Sequence, residues 1–258
     1  MKEQSIIIIT TIYVIISFVI LFLSAKTAYR LKLIDVPNKR KNHSIATAYI
    51  GGFSISLIFL IAIMIFDISY KSLNLIMSIA FLISIVGLLD DRYDLNTGGK
   101  LSLQIIPIFY LIVFENFSLS QLGDYKSFEL ELGSFAIPFT LICVLFLINA
   151  FNYFDGMDGS LGFATISVLI ILYFLTYDQI FQLFLFIILI PLIIFLCFNF
   201  SLFNLPKLFL GDSGSLLFGF VISFILIHLA IKNVVHPILL AWSVVIFVYE
   251  FLSINIIR

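Results

Sequence analysis

Four short segments of this mostly apolar chain concentrate carboxylates, amides, glycines and basic residues. They are residues 35–43, residues 90–94 with Lys100 and Gln104 just beyond them, residues 149–159, and residues 211–215. Carboxylate and amide oxygens can ligate a divalent cation, and basic side chains or free backbone N–H groups can bind phosphate. The four segments are therefore the places to look for chemistry.

Asp90, Asp91 and Asp94 crowd three carboxylates at the end of an apolar stretch. If a helix continues through them, positions 90 and 94 share a face and position 91 lies beside it. Such carboxylates repel one another unless a cation lies between them, and Mg²⁺ prefers one or two carboxylates together with phosphates and water. We expect a divalent-cation site here. The alternative is that these acids simply end the helix in water, with Arg92 as a neighbour.

The third segment places Asn149 and Asn152 one helical turn apart, and two glycines then let the backbone approach a ligand. Asp155 and Asp158 alternate with those glycines. Amides can ligate a metal or pair with the edge of a base, and carboxylates can accept hydrogen bonds from a sugar. A tight turn stabilised by Asx caps is the alternative.

The fourth segment opens an apolar stretch, where free N–H groups and the positive end of the helix dipole favour phosphate. Asp212 could hold a metal there, although ordinary N-capping would use the same residue types. The first segment carries three consecutive basic residues, 39–41, and His43, ahead of the glycine pair 51–52. Phosphate binding and a cytoplasmic loop of a membrane protein both explain these charges.

The elements that position these segments are apolar. The chain is 62% hydrophobic and only 11% charged, far from the composition of a soluble domain. Its net charge of −1 and scattered basic residues exclude a nucleic-acid partner. A membrane-spanning helix needs roughly 20 apolar residues. Nine stretches qualify approximately, the fifth being short as drawn: 5–25, 48–66, 72–89, 101–117, 135–148, 161–177, 180–198, 215–231 and 235–257.

Nine spans place the four polar segments on one side of the membrane. That side also holds ten of the 14 Lys and Arg residues, and the other side holds four. The positive-inside rule makes the side with ten cytoplasmic and leaves the N-terminus outside. We therefore predict a single all-α, polytopic transmembrane domain over residues 1–258, with its active site at cytoplasmic loops.

Taken in order, the four segments resemble the polyprenyl-phosphate N-acetylhexosamine-1-phosphate transferases, which form glycosyltransferase family 4. The resemblance covers residues from about 35 to 220. It implies a Mg²⁺-dependent enzyme, with Mn²⁺ as an alternative ion, in the bacterial inner membrane. Its partners would be a UDP-N-acetylhexosamine, undecaprenyl phosphate and membrane lipid, and a homodimer is left open. It also implies transfer of the sugar 1-phosphate to the lipid, release of UMP, and a first step in cell-envelope glycan synthesis.

The resemblance also implies roles for individual residues. The metal ligands would be Asp212 and Asn152, and the catalytic residues would be Asp90, Asp91 and Lys100. Substrate would be bound by Asp35, Arg40, Lys41, His43, Asp94, Gln104, Asn149, Asp155, Asp158, Gly211 and Ser213.

The basic run before His43 is similar to the branch that uses N-acetylglucosamine, so this sugar is the default donor. The sequence leaves open the sugar and the final glycan, whether O-antigen, teichoic acid or a related polymer. Family members also carry a basic, histidine-containing loop after the ninth span, and we therefore expect the domain to continue beyond Arg258. An inactive relative that serves as a binding or assembly subunit is the first alternative function. A transporter is the second, although the polar residues lie at helix ends rather than along a pathway.

Overall fold

The computed structural model describes residues 2–36, 46–66, 70–125 and 128–257, and most of them are α-helical. The helices are α1 (Lys2–Leu31), α2 (Gly51–Ile65), α3 (Lys71–Tyr93), α4 (Thr97–Phe114), α5 (Ala136–Phe154), α6 (Ser160–Leu175), α7 (Gln179–Asn199), α8 (Gly211–Ile231), α9 (Pro237–Ser243) and α10 (Val245–Ile257). Two antiparallel strand pairs join them, β1 (Ile34–Asp35) with β2 (Thr47–Ala48) and β3 (Gln121–Asp124) with β4 (Glu129–Glu131). Short 3-10 helices span Gly133–Phe135 and Leu202–Asn204.

The helices make this a multi-pass membrane protein, as predicted. Within the described ranges, six helices are long and apolar enough to cross a bilayer, and α9 with α10 forms a seventh candidate that bends by 62°. Helices α2 and α6 coincide with predicted spans but are shorter, at 15 and 16 residues. The predicted count of nine spans is therefore not confirmed.

Two helices extend further into the polar segments than their apolar stretches do. Helix α3 continues to Tyr93 and so carries Asp90 and Asp91, but Asp94 adopts a left-handed conformation with φ 51° and ends the helix. Asp94 consequently does not share a helical face with Asp90, and that prediction is wrong. Helix α5 continues to Phe154 and carries the two asparagines of the third segment, as expected.

Helix α8 is the centre of the bundle. About 89% of the residues in its apolar stretch are buried, and the helix packs against α2, α3 and α5. Small residues permit this close approach, because a Cβ atom on Gly52 would lie 2.0 Å from the backbone of Gly214. The start of α8, which carries Asp212, is therefore held by its neighbours' backbones.

The chain entering α8 is also tied to the end of the first polar segment. Ala48 forms a parallel bridge with Leu208, and the Phe209 N–H donates to the Ala48 carbonyl oxygen at 2.7 Å. The Gly52 N–H donates to the Leu210 carbonyl oxygen at 2.9 Å. Gly211 has a φ of 72°, which favours glycine, and turns the chain into the helix. These bonds join two segments that are about 160 residues apart in sequence.

Candidate active site

A cavity of about 1200 Å³ lies where these polar segments meet. Among the described residues, its charged lining comprises Asp35, Asp91, Asp155, Asp158 and Asp212 with Lys32, Arg92 and Lys207. The remaining lining includes Tyr49, Phe195, Asn199, Phe209 and Gly211. Part of every predicted polar segment thus reaches one cavity, and carboxylates outnumber basic side chains in its described wall.

Asp212 joins this cavity to a hydrogen-bonded cluster behind it. Its Oδ2 accepts from Lys100 Nζ at 2.6 Å, and its Oδ1 accepts from Asn152 Nδ2 at 2.9 Å. Asn152 Nδ2 also donates to Ser215 Oγ at 2.8 Å, which ties α5 to α8. Three helices therefore fix the position of the Asp212 carboxylate.

Asp90 lies beside Lys100, in the same side-chain cluster as Asp212. Its Oδ2 is 2.6 Å from Lys100 Nζ, and its Oδ1 accepts from the Leu95 N–H at 3.0 Å. Its side chain is 11% exposed, against 32% for Asp212. Asp90 is also absent from the described lining of the cavity. This geometry suits Asp90 to holding Lys100, and suits Asp212 to meeting a ligand.

Asp91 caps the start of α8. Its Oδ2 accepts from the Ser213 N–H at 3.4 Å and lies close to Gly211. A carboxylate at a helix N-terminus satisfies free N–H groups and complements the helix dipole. We expected these N–H groups to be free for phosphate. That expectation is wrong at Ser213, because a carboxylate of the protein already accepts its hydrogen.

The loop after α5 forms another wall of the cavity. Burial, together with the negative charges of Asp212 and Asp158, raises the pKa of Asp155 to about 7. Asp158 is paired with Lys207, whose Nζ lies 2.6 Å from Asp158 Oδ2 and 5.2 Å from the centre of the Phe209 ring. The carboxylates of this loop are thus only partly neutralised by the protein.

The donor set around Asp212 fits a hard divalent cation. No group of three or more His, Cys, Asp or Glu side chains in the described ranges is arranged to hold a metal by itself. Mg²⁺, however, usually binds one or two carboxylates and takes its other oxygens from substrate phosphates and water. Carboxylate oxygens of Asp212 and the amide oxygen of Asn152 are ligands of the required type.

Several predicted site residues lie apart from the cavity. Asn149 donates from Nδ2 to the Leu145 carbonyl oxygen of its own helix at 2.7 Å. Ser213 is buried, and its hydroxyl bonds backbone groups of Phe53 and Leu210. Asp94 is exposed, whereas Gln104 is fully buried one turn beyond Lys100. We expected all four to bind substrate, and none belongs to the described lining. Arg40, Lys41 and His43 lie outside the described residues.

Sequence reasoning missed several residues of the cavity. Lys32 follows α1 and Tyr49 follows β2, while Asn199 ends α7 and Lys207 lies in the chain leading to α8. Asn199 is 4% exposed, and its Oδ1 has no partner. An asparagine and a lysine so near the 211–215 segment were a usable signal. No sequence signal distinguished Tyr49 or Lys32, since tyrosines and lysines are common at membrane boundaries.

Known proteins that resemble this chain act on a lipid phosphate. The chain is 36% identical over 135 residues to the undecaprenyl-phosphate alpha-N-acetylglucosaminyl 1-phosphate transferase of Escherichia coli O157:H7, a match covering 51% of this chain and 36% of that protein. It is 33% identical over 151 residues to the Salmonella typhi protein of the same name, covering 57% and 39%. The Yersinia pestis protein of that name is 30% identical over 245 residues, covering 92% and 67%.

The matched region spans about a third of the length of the E. coli relative and two thirds of the Y. pestis relative. The sequence model of glycosyl transferase family 4 matches residues 73–230, which include three of the four polar segments. On the extent of these matches, the chain belongs to glycosyl transferase family 4.

Proposed function

We propose that this protein transfers N-acetylhexosamine 1-phosphate, with N-acetylglucosamine as the default sugar, from a UDP-sugar to undecaprenyl phosphate. A phosphate oxygen of the lipid attacks the β-phosphorus of the donor, the bond from that phosphorus to the bridging oxygen breaks, and UMP leaves. The observation that carries the proposal is the position of Asp212. It lies at the wall of a large cavity and is held there by side chains from two other helices.

The cavity has the chemistry needed to hold a nucleotide diphosphate sugar. Lys32, Arg92 and Lys207 supply positive charge for phosphate, and Tyr49 and Phe209 supply ring faces on which a base could stack. Its volume of about 1200 Å³ is somewhat larger than the usual range for small-molecule sites, which is about 300–1,000 Å³. A charged donor that carries a sugar and a base needs such room.

The excess of carboxylates in the described lining supports a requirement for Mg²⁺. A dianionic diphosphate would meet repulsion from Asp212, and from Asp91 and Asp155 when they are ionised, unless another cation joined it. Asp212, with Asn152 beside it, would hold that ion. When bound, Mg²⁺ would neutralise charge on the transferring phosphoryl group and orient it.

Asp91 and Lys100 serve the acceptor in this proposal. A phosphate monoester has a second pKa near 6, so the attacking oxygen is largely ionised at neutral pH. A strong base is therefore not required, and Asp91 would accept the proton only from the protonated fraction. Lys100 would supply positive charge next to Asp212 as the phosphates enter, before the divalent cation is in place.

The proposed site faces the cytoplasm, which leaves the N-terminus outside. The distribution of Lys and Arg supports this orientation, and UDP-sugars are soluble substrates of the cytoplasm. Helices α3, α5 and α8 lead from the cavity into the apolar bundle, so the lipid chain can remain in the bilayer while its phosphate reaches the site.

The test is UMP release by the purified full-length protein with undecaprenyl phosphate, Mg²⁺ and a panel of UDP-N-acetylhexosamines. We expect release that depends on the lipid and on one preferred sugar. Asp212→Asn should lower the rate by at least about 10²-fold, the typical effect of removing a group that stabilises transition-state charge. Asp124→Asn is the matched control, since that exposed carboxylate lies in β3, outside the cavity. Equal rates for the two variants would contradict the assigned role of Asp212, and no release with any sugar would contradict the transferase.

A further inference from the structure

Lys100 is a cation held between two carboxylates from two different helices. Its Nζ lies 2.6 Å from Asp90 Oδ2 on α3 and 2.6 Å from Asp212 Oδ2 on α8, and its side chain is only 14% exposed. Both distances are those of short, charge-assisted hydrogen bonds. Removing the ammonium would leave two neighbouring carboxylates without a counter-charge between them, which is unfavourable. The lysine therefore neutralises this pair of carboxylates, as a bound metal ion would.

A divalent cation ligated by Asp212 would compete with this lysine. Two cations at the same pair of carboxylates repel each other strongly where solvent is scarce. The amide of Asn152 donates to the other oxygen of Asp212, so neither oxygen of that carboxylate is unoccupied. Each oxygen of Asp212 thus already accepts one hydrogen bond, and a divalent cation bound there would lie close to the ammonium. The repulsion between the two cations therefore favours displacement of Lys100.

Gln104 offers a second position for the displaced ammonium. It is fully buried in α4, and both Nε2 and Oε1 lack a hydrogen-bond partner. A buried amide without partners is unfavourable, and such exceptions in folded proteins call for an explanation. Gln104 lies four residues after Lys100 on the stripe of α4 that continues through the buried Ile108 and Ile112. Side chains so spaced are neighbours, and helical side chains lean toward the N-terminus, which directs Gln104 toward the turn of Lys100.

We propose that Lys100 is an exchangeable counter-cation of the site. It neutralises Asp90 and Asp212 until a divalent cation binds at Asp212, and its ammonium then moves to the amide oxygen of Gln104. No bond to carbon or phosphorus changes in this step. The inference rests on the proposed function for the presence of a divalent cation, but it assigns the lysine and the glutamine roles that the transfer reaction alone does not require.

The first test measures metal binding rather than transfer. The purified full-length protein is titrated with Mn²⁺, and free Mn²⁺ is followed by electron paramagnetic resonance. We expect Lys100→Met and Lys100→Gln to bind Mn²⁺ at least about tenfold more tightly than the wild type, because the competing cation is gone. Lys26→Met is the control, since this exposed lysine of α1 lies over the Phe22 ring and is not part of the described lining of the cavity. Its effect should stay below about threefold. Unchanged or weaker binding in both Lys100 variants would overturn the proposal.

The second test uses the coupling between the two side chains. Gln104→Leu removes the alternative partner and should weaken Mn²⁺ binding about threefold to tenfold when Lys100 is present. In the Lys100→Met background, the same substitution should have no effect on Mn²⁺ affinity. A purely structural role of Gln104 would change the affinity equally in both backgrounds, and that result would overturn its role here. The Gln104→Leu variant also removes a buried polar group, so it should fold even if the Lys100 variants do not.

Transfer is assayed on the same preparations. Tighter Mn²⁺ binding in Lys100→Met without UMP release from the wild type would support the counter-cation and reject the transferase. UMP release by the wild type together with an unchanged Mn²⁺ affinity of Lys100→Met would support the transferase and reject the counter-cation. If no variant binds Mn²⁺, the competition is refuted whatever the transfer assay gives.

Discussion

Gly52→Ala is the perturbation most directly predicted by the geometry of the bundle. The new Cβ would lie 2.0 Å from both N and Cα of Gly214 and 2.6 Å from the carbonyl carbon of Ser213. All of these are backbone atoms, so no side chain can rotate away. Ordinary van der Waals contact begins at 3.4 Å, so α2 and the start of α8 must separate by about 1.4 Å.

That separation acts on the site as well as on stability. A shift of this size would break the Gly52 N–H bond to Leu210 and would move the Asp212 carboxylate relative to Lys100 on α4. Overpacking of a core typically costs about 1–3 kcal/mol. Displacement of a reacting group by about 1 Å can lower a rate about 10²-fold. We therefore expect a lower thermal midpoint and a rate of UMP release reduced by at least about 10²-fold.

The assay combines circular dichroism melting in detergent with the transfer reaction. Gly98→Ala is the matched control, because its nearest neighbour would be Asn96 Oδ1 at 3.7 Å and the position is exposed at the start of α4. This variant should behave as the wild type or melt slightly higher, since alanine favours helix. If Gly52→Ala melted and released UMP as the wild type does, the close contact between Gly52 and Gly214 would not be what positions Asp212.

Three further predictions concern the residues around the site. In Asp155→Asn, the unfavourable ionisation of a carboxyl with a pKa of about 7 is absent. Because this pKa is raised by folding, the wild type should lose stability as the pH rises from about 4 to 7, by at most about 4 kcal/mol and by less where solvent reaches the group. Melting curves of both proteins across this range should diverge with increasing pH, and parallel curves would contradict the assignment. Asn96→Ala removes the side-chain oxygen that accepts from the Gly99 N–H at 2.7 Å, and melting should show a loss of about 1 kcal/mol. Asn152→Ala removes the bonds to Asp212 and Ser215, and should lower UMP release by at least tenfold, about 1.4 kcal/mol; an unchanged rate would exclude Asn152 from positioning Asp212.

The sequence was informative where apolar and polar residues alternate in long blocks. The apolar stretches predicted the helices, and the four dense polar segments predicted which loops approach one another, because helix ends on one side of a membrane share one surface. The family resemblance rested on these same segments. Single-residue roles were harder to predict, since they depend on packing between distant helices.

Asp94 and Asp91 illustrate that difficulty. Both belong to one acidic motif, yet Asp94 ends α3 in a left-handed conformation, while Asp91 caps a helix about 120 residues further along the chain. Nothing local distinguishes the two carboxylates. Helices α2 and α6 illustrate a second difficulty. Both are apolar in composition, yet their length falls short of a full membrane span.

The ion pair between Asp90 and Lys100 has a consequence for how the protein is made. Its partners are ten residues apart, on the consecutive helices α3 and α4, whereas Asp212 belongs to α8 and is synthesised more than a hundred residues later. The two helices can therefore enter the bilayer as a hairpin whose charges already neutralise each other, without waiting for the rest of the chain. Helix α8 follows later in the chain and brings the third charge with it. The charged cluster can therefore form in two steps, and a chain ending before α8 would carry the Asp90–Lys100 pair without Asp212.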